Sequence, residues 1–116
     1  MDKIYIYHHP RCGKSRQTLE LIKSRNIEPV VIEYVKTPPT AEELTEIIRK
    51  LNIDAKSLIR KNERDFLDNF DGKDLSSEEW IQVMVEHPIL IERPIVIKGD
   101  KAAIGRPPET ILSILE

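Results

Sequence analysis

Apolar positions recur along the chain in two alternating periods. Lys3-Ile4-Tyr5-Ile6-Tyr7 is a β-branched and aromatic run that predicts a first strand, and from Lys14 to Arg25 the residues Leu19 and Ile22 share one face of a predicted helix. Asn26 is a plausible stop for that helix, and Val30-Val31-Ile32-Glu33-Tyr34-Val35 has the composition of a second strand. Strand, helix, strand implies a parallel unit with a right-handed crossover. Thr37-Pro38-Pro39 breaks the pattern, and Thr40-Ala41-Glu42-Glu43 is a capping box opening a helix with Leu44, Ile47, Ile48 and Leu51 on its buried face. Between Ala55 and Phe70 the periodicity weakens to one or two short helices, and Asp71-Gly72 makes a turn. A second capping box, Ser76-Ser77-Glu78-Glu79, opens a helix that carries Trp80, Ile81, Met84 and Val85 and ends near His87-Pro88. Trp80 and Met84, one turn apart, read as core. Ile95-Val96-Ile97 and Ala102-Ala103-Ile104 flank Lys98-Gly99-Asp100-Lys101, an antiparallel hairpin with Gly-Asp at its turn. Pro107 suits the first turn of a last helix bearing Ile111, Ile114 and Leu115.

The order βαβ, helices, ββα predicts an α/β fold. A small four-stranded mixed sheet is flanked by helices, with a helical insertion at about 53–88 between its halves. At 116 residues the chain is expected to be a single domain, 1–116, with a core that needs no disulfide or metal. One cysteine permits no internal disulfide. With no secretory apolar segment and no apolar run of membrane-spanning length, a cytoplasmic location is expected. Eighteen Lys and Arg against 20 Asp and Glu give a net charge of −2 without a basic block, so no nucleic-acid or membrane partner is expected.

The chemistry concentrates in His8-His9-Pro10-Arg11-Cys12-Gly13-Lys14-Ser15, which puts the cysteine at a strand-to-helix junction. Free N–H groups and the positive end of the macrodipole favour an anion there, and Arg11, Lys14 and Arg16 add positive charge. A free thiol titrates near ~8.5, whereas cysteines at helix N-termini beside cations fall to roughly 3.5–7.5. A lone cysteine is most often a small buried apolar residue. Cys12 lies instead among Pro, Arg, Gly, Lys and Ser, which marks a reactive thiolate. Gly13-Lys14-Ser15 resembles the end of a phosphate-binding loop, but that pattern needs glycine where His8 stands. His8, His9 and Cys12 could ligate a metal, yet the only further histidine is His87 and no second cysteine exists, so no metal site is expected. Arg60, Arg93 and Arg106 stand apart from the solvated helix charges. Residues 93 and 106 precede prolines, which places them at element junctions where a side chain can be aimed at a site. Guanidinium groups would offset the charge of a tetrahedral oxyanion approached by a thiolate.

His8-x-Pro10-x-Cys12-Gly13-x-Ser15-Arg16-x-Thr18-Leu19, Leu58-x-Arg60, Pro88-Ile89-Leu90-Ile91-x-Arg93-Pro94-Ile95-Val96 and Arg106-Pro107 together resemble the glutaredoxin-type arsenate reductases of the thioredoxin-like superfamily, over nearly the whole chain. The resemblance implies a thioredoxin-like fold, Cys12 as the nucleophile toward arsenate or a related oxyanion, and Arg60, Arg93 and Arg106 as its oxyanion-binding residues. It implies His8 and Ser15 as neighbours that tune the thiolate, with Arg16 beside them, and a cis bond before Pro94. It further implies glutathione as co-substrate and glutaredoxin as partner, with no bound cofactor. In length, and in carrying Arg11, the chain is similar to the shorter arsenate-reductase-like members. Two other readings share the fold. Cys12-Gly13-Lys14-Ser15 has the Cys-x-x-Ser form of monothiol glutaredoxins, and Spx-like regulators of RNA polymerase are non-enzymatic, although Ser15 excludes their Cys-x-x-Cys switch.

Overall fold

The computed structural model describes residues 3–115. In chain order the elements are β1 (Ile4–His8), α1 (Gly13–Ser24), β2 (Val30–Glu33), α2 (Ala41–Leu51), a 3-10 turn (Ala55–Leu58), α3 (Arg64–Asn69), α4 (Ser77–Glu86), a 3-10 turn (Pro88–Leu90), β3 (Ile95–Lys98), β4 (Lys101–Ile104), a 3-10 turn (Pro108–Ile111) and α5 (Leu112–Leu115). They form two compact units. One takes the described residues up to Thr37 and those from Arg93 onward, the other Pro38–Glu92.

The first unit holds a four-stranded mixed sheet in the order β2-β1-β3-β4. β1 runs parallel to β2, with Tyr5 opposite Val30, and antiparallel to β3, with Ile6 opposite Val96. β3 and β4 form the hairpin, with Lys98 opposite Lys101. Its two-residue turn begins with Gly99 at φ 58, the left-handed backbone that such a turn requires at its first position. Ile4, Ile6, Val96 and Ala103 from the sheet pack with Ile22 of α1 and with Ile111 and Ile114, so one core joins the sheet to the helices at both ends of the chain. α1 stops as Asn26 turns left-handed at φ 61, its N–H donating to the Lys23 carbonyl.

In the second unit both capping boxes form as the sequence predicts: Thr40 with Glu43 and Ser76 with Glu79. The Glu79 carboxyl is held below its usual range, first by the backbone N–H of Ser76. α2 packs on α4, and Leu44, Leu58, Met84 and Leu90 are fully buried. Trp80 is buried in an aromatic group, its ring centroid 6.1 Å from Phe66 and 6.4 Å from Phe70. Arg60 N–H bonds to the Leu90 carbonyl and Glu92 N–H to the Leu58 carbonyl, both at 2.8 Å, fastening the end of the unit to its middle.

Three predicted boundaries move, each for a physical reason. β2 ends at Glu33, not Val35, because the Glu33 carbonyl accepts from both Lys36 and Thr37 N–H at 3.0 Å. That turn carries Tyr34 inward to full burial and leaves Val35 exposed. The last helix does not begin at Pro107, which stays extended at ψ 164 because Pro108 follows it and bars it from the helical region. The helical region reaches beyond 53–88 to Pro38–Glu92, because α2 associates with α4. Among the described residues no helix is long and apolar enough to cross a membrane.

The Thr40 cap gives a direct test. Thr40→Ala removes the acceptor for Glu43 N–H and should cost about 1 kcal/mol in urea unfolding, whereas Thr40→Ser should stay near wild type.

Candidate active site

α1 begins at the cysteine. Cys12 is its N-cap, extended at φ −92 and ψ 122. The Cys12 N–H donates to the His9 carbonyl and the Cys12 carbonyl accepts from Arg16 N–H, each at 3.0 Å, so the loop closes on itself as the helix opens.

Behind this loop lies a buried polar pair. His8, the last residue of β1, places Nδ1 2.6 Å from Ser15 Oγ, which also accepts the His9 N–H at 3.0 Å. Burial is the largest influence on the His8 imidazole and pushes its pKa down, against the carboxylate of Glu33 and with the charges of His9, Arg16 and Lys23. The neutral ring with its proton on Nε2 satisfies both bonds, Nδ1 accepting from the Ser15 hydroxyl.

In front of the loop stand two arginines from the open end of the hairpin. Ile95 lies opposite Ile104, so Pro94 and Gly105 meet one step further along, joined by Gly105 N–H to the Pro94 carbonyl at 2.9 Å. One residue beyond, Arg106 Nε donates to the Arg93 carbonyl at 2.8 Å and its Nη2 lies 3.5 Å from the Cys12 sulfur. Both Arg93-Pro94 and Arg106-Pro107 are cis. Partial burial is the largest influence on the Cys12 thiol and pushes its pKa up. The Ser15 backbone N–H, the hydrogen bond and charge of Arg93 and the charge of Arg106 together outweigh it, and the pKa falls below the ordinary thiol value.

The predicted residues therefore separate. Cys12, Ser15, Arg93 and Arg106 come together, and Pro94 takes the expected cis bond. His8 reaches the site through Ser15. Arg16 sends Nη1 to the Pro10 carbonyl at 3.1 Å, where it shapes the loop. Arg60 belongs to the other unit, where its guanidinium pairs with Glu63 at 3.1 Å and Glu92 at 2.7 Å. Burial, the largest influence on Arg60, lowers its pKa, and the two carboxylates, Glu92 foremost, outweigh it and raise the pKa above the usual value. Among the described residues no group of three or more His, Cys, Asp or Glu side chains converges as a metal site would require.

Sequence reasoning gave no role to Thr18, named only within the family motif, or to Gly105. Thr18 is fully buried, its Oγ1 2.8 Å from the Lys14 carbonyl and 3.5 Å from the Gly105 carbonyl. A Cβ on Gly105 would strike Thr18 Oγ1 and lie 2.8 Å from Pro94 Cγ. A glycine next to a strand end and before an Arg-Pro pair was the available sign of this close approach.

The profile of the ArsC family matches residues 7–114. The chain is 46% identical over 114 residues to the arsenate reductase of Haemophilus influenzae, across 97% of this chain and 98% of that protein. It is 42% identical to an arsenate reductase of Escherichia coli, across 99% of this chain and 82% of that protein. The solved arsenate reductase from Vibrio cholerae matches it with a TM-score of 0.93 at 40% identity, over 97% of this chain and 98% of the other.

The electrostatics of Cys12 set a pH dependence. Because the thiol pKa is lowered by folding, the thiolate contributes stability that is full above the unfolded value and is lost as pH falls through the folded value. Alkylation by iodoacetamide should accordingly show a midpoint below that of a free cysteine, and Arg106→Ala should move the midpoint upward.

Proposed function

The chain belongs to the ArsC family, and on that footing we propose that it is an arsenate reductase in which Cys12 is the nucleophile and Arg93 and Arg106 hold the oxyanion. One observation carries the proposal. A cysteine at a helix N-terminus, lowered in pKa, lies 3.5 Å from one guanidinium and within hydrogen-bonding reach of a second. Such a site offers a nucleophile together with cations for the anion it attacks.

In the proposed reaction the Cys12 thiolate attacks As(V) and displaces a hydroxide, giving a sulfur–arsenic bond. The arginines offset the added negative charge. Ser15 stands where a resolving cysteine would, and the chain has no other cysteine, so the next electrons come from outside. A glutathione thiolate attacks the Cys12 sulfur, the sulfur–arsenic bond breaks, and its electron pair leaves with arsenic as As(III). Arsenic gains two electrons and the sulfur pair is oxidised to a mixed disulfide. Glutaredoxin then attacks the glutathione sulfur and frees the Cys12 thiolate. A reducing cytoplasm suits this cycle, since Cys12 must return to the thiol after each turn. The motif resemblance names Arg60 as a further oxyanion-binding residue, and within its own unit the guanidinium is held by Glu63 and Glu92.

Arsenate-dependent oxidation of NADPH, coupled through glutathione, glutaredoxin and glutathione reductase, tests the reading. Cys12→Ser should abolish turnover, and Arg93→Ala and Arg106→Ala should each lower kcat/KM by roughly 10²-fold, the scale of one lost charge-stabilising donor. Absent turnover by wild type, with Cys12 still titrating low, would point to another substrate or another thiol partner for the same site.

A further inference from the structure

The contact between Thr18 and Gly105 lies outside the reacting groups yet stands one residue from Arg106 and on the helix that Cys12 begins. Three features bear on its role. Thr18 has no exposed surface, and its hydroxyl is turned back onto the Lys14 carbonyl of its own helix at 2.8 Å, so both branches of the side chain are fixed. Gly105 is pressed against this side chain so closely that an added Cβ would meet Thr18 Oγ1, stand 3.1 Å from Thr18 Cγ2 and 2.8 Å from Pro94 Cγ. Carbon atoms at rest stay about 3.5–4.0 Å apart, so the seat is filled to its limit. Arg106 follows at once, with its guanidinium anchored through Nε on the Arg93 carbonyl and Nη2 3.5 Å from the sulfur. That distance is ordinary for a hydrogen bond to sulfur, which is larger than oxygen, and it is kept only while Arg106 holds its place.

We propose that Thr18 and Gly105 are positioning residues whose contact holds the Arg106 guanidinium at bonding distance from the Cys12 sulfur. Any residue larger than glycine at 105 lifts the strand end off α1 and carries Arg106 with it. The sulfur then loses one of the two cations that act on it, Arg93 and Arg106. The inference rests on Cys12 as the nucleophile and is independent of which oxyanion it attacks.

Gly105→Ala is the perturbing variant, and Thr18→Ala with Gly105→Ala is the relieving one, because it removes two of the three atoms nearest the new Cβ, including the nearest, Thr18 Oγ1. The readouts are the pH profile of iodoacetamide alkylation and the KM for arsenate against kcat, with circular dichroism reporting the fold. Folded Gly105→Ala should move the alkylation midpoint toward that of Arg106→Ala and raise KM roughly tenfold, the size of one charge-assisted hydrogen bond. The double variant should recover part of both. A folded Gly105→Ala with the wild-type alkylation profile overturns the proposal, as does a double variant that folds and shows no recovery. If Gly105→Ala fails to fold, Thr18→Ser decides: loss of Cγ2 alone loosens the seat and should shift the midpoint upward, and an unchanged midpoint overturns the proposal. The alkylation arm needs no arsenate, so wild-type inactivity toward arsenate would leave this result standing.

Discussion

A sulfur anion taken partly out of water loses solvation, and in this protein that loss is the largest single influence on Cys12. Everything near the residue offsets it with groups of fixed direction. The Ser15 N–H belongs to the first turn of α1, where no carbonyl claims it. Arg93 and Arg106 arrive from the two open ends of the hairpin, and the Arg106 Nε donates to the Arg93 backbone carbonyl.

The sheet explains how those groups come to one place. β1 ends at His8, directly before the cysteine loop, and β3 lies beside β1, so the start of β3 and the end of β4 fall at the same edge as the loop. The antiparallel hairpin makes Arg93 and Arg106 near neighbours although 13 residues separate them. His8 and Ser15 perform a second alignment behind the loop. A buried imidazole kept neutral can share a hydroxyl without adding a charge beside the sulfur, and it ties the strand end to the helix start.

Much of this was legible in the residues because it is local. Capping boxes, a Gly-led hairpin turn and a cysteine between strand and helix are written in consecutive positions, and the structure places Thr40, Ser76, Gly99 and Cys12 accordingly. Arg93 and Arg106 announced themselves through the prolines that follow them. What stayed hidden depends on contacts between distant segments. Thr18 reads as one polar residue on a helix, and only the return of the chain 87 residues later sets Gly105 against it. The destination of Arg16, a carbonyl of its own loop, was equally invisible, since charge alone suggested that it faced the sulfur. The early end of β2 came from a carbonyl captured by a turn, which apolar composition does not encode.

Ser15 has a consequence beyond turnover. Its hydroxyl is committed to His8 and His9, and it occupies the position from which a second thiol could reach Cys12. A low-pKa thiolate is also what peroxide oxidises first, and a sulfenic acid formed here finds no partner sulfur within the chain. A thiol that rescues it must therefore come from another molecule, and must arrive before a second oxidant does. The working life of the protein is in this sense set by the redox state of its surroundings, however stable its fold.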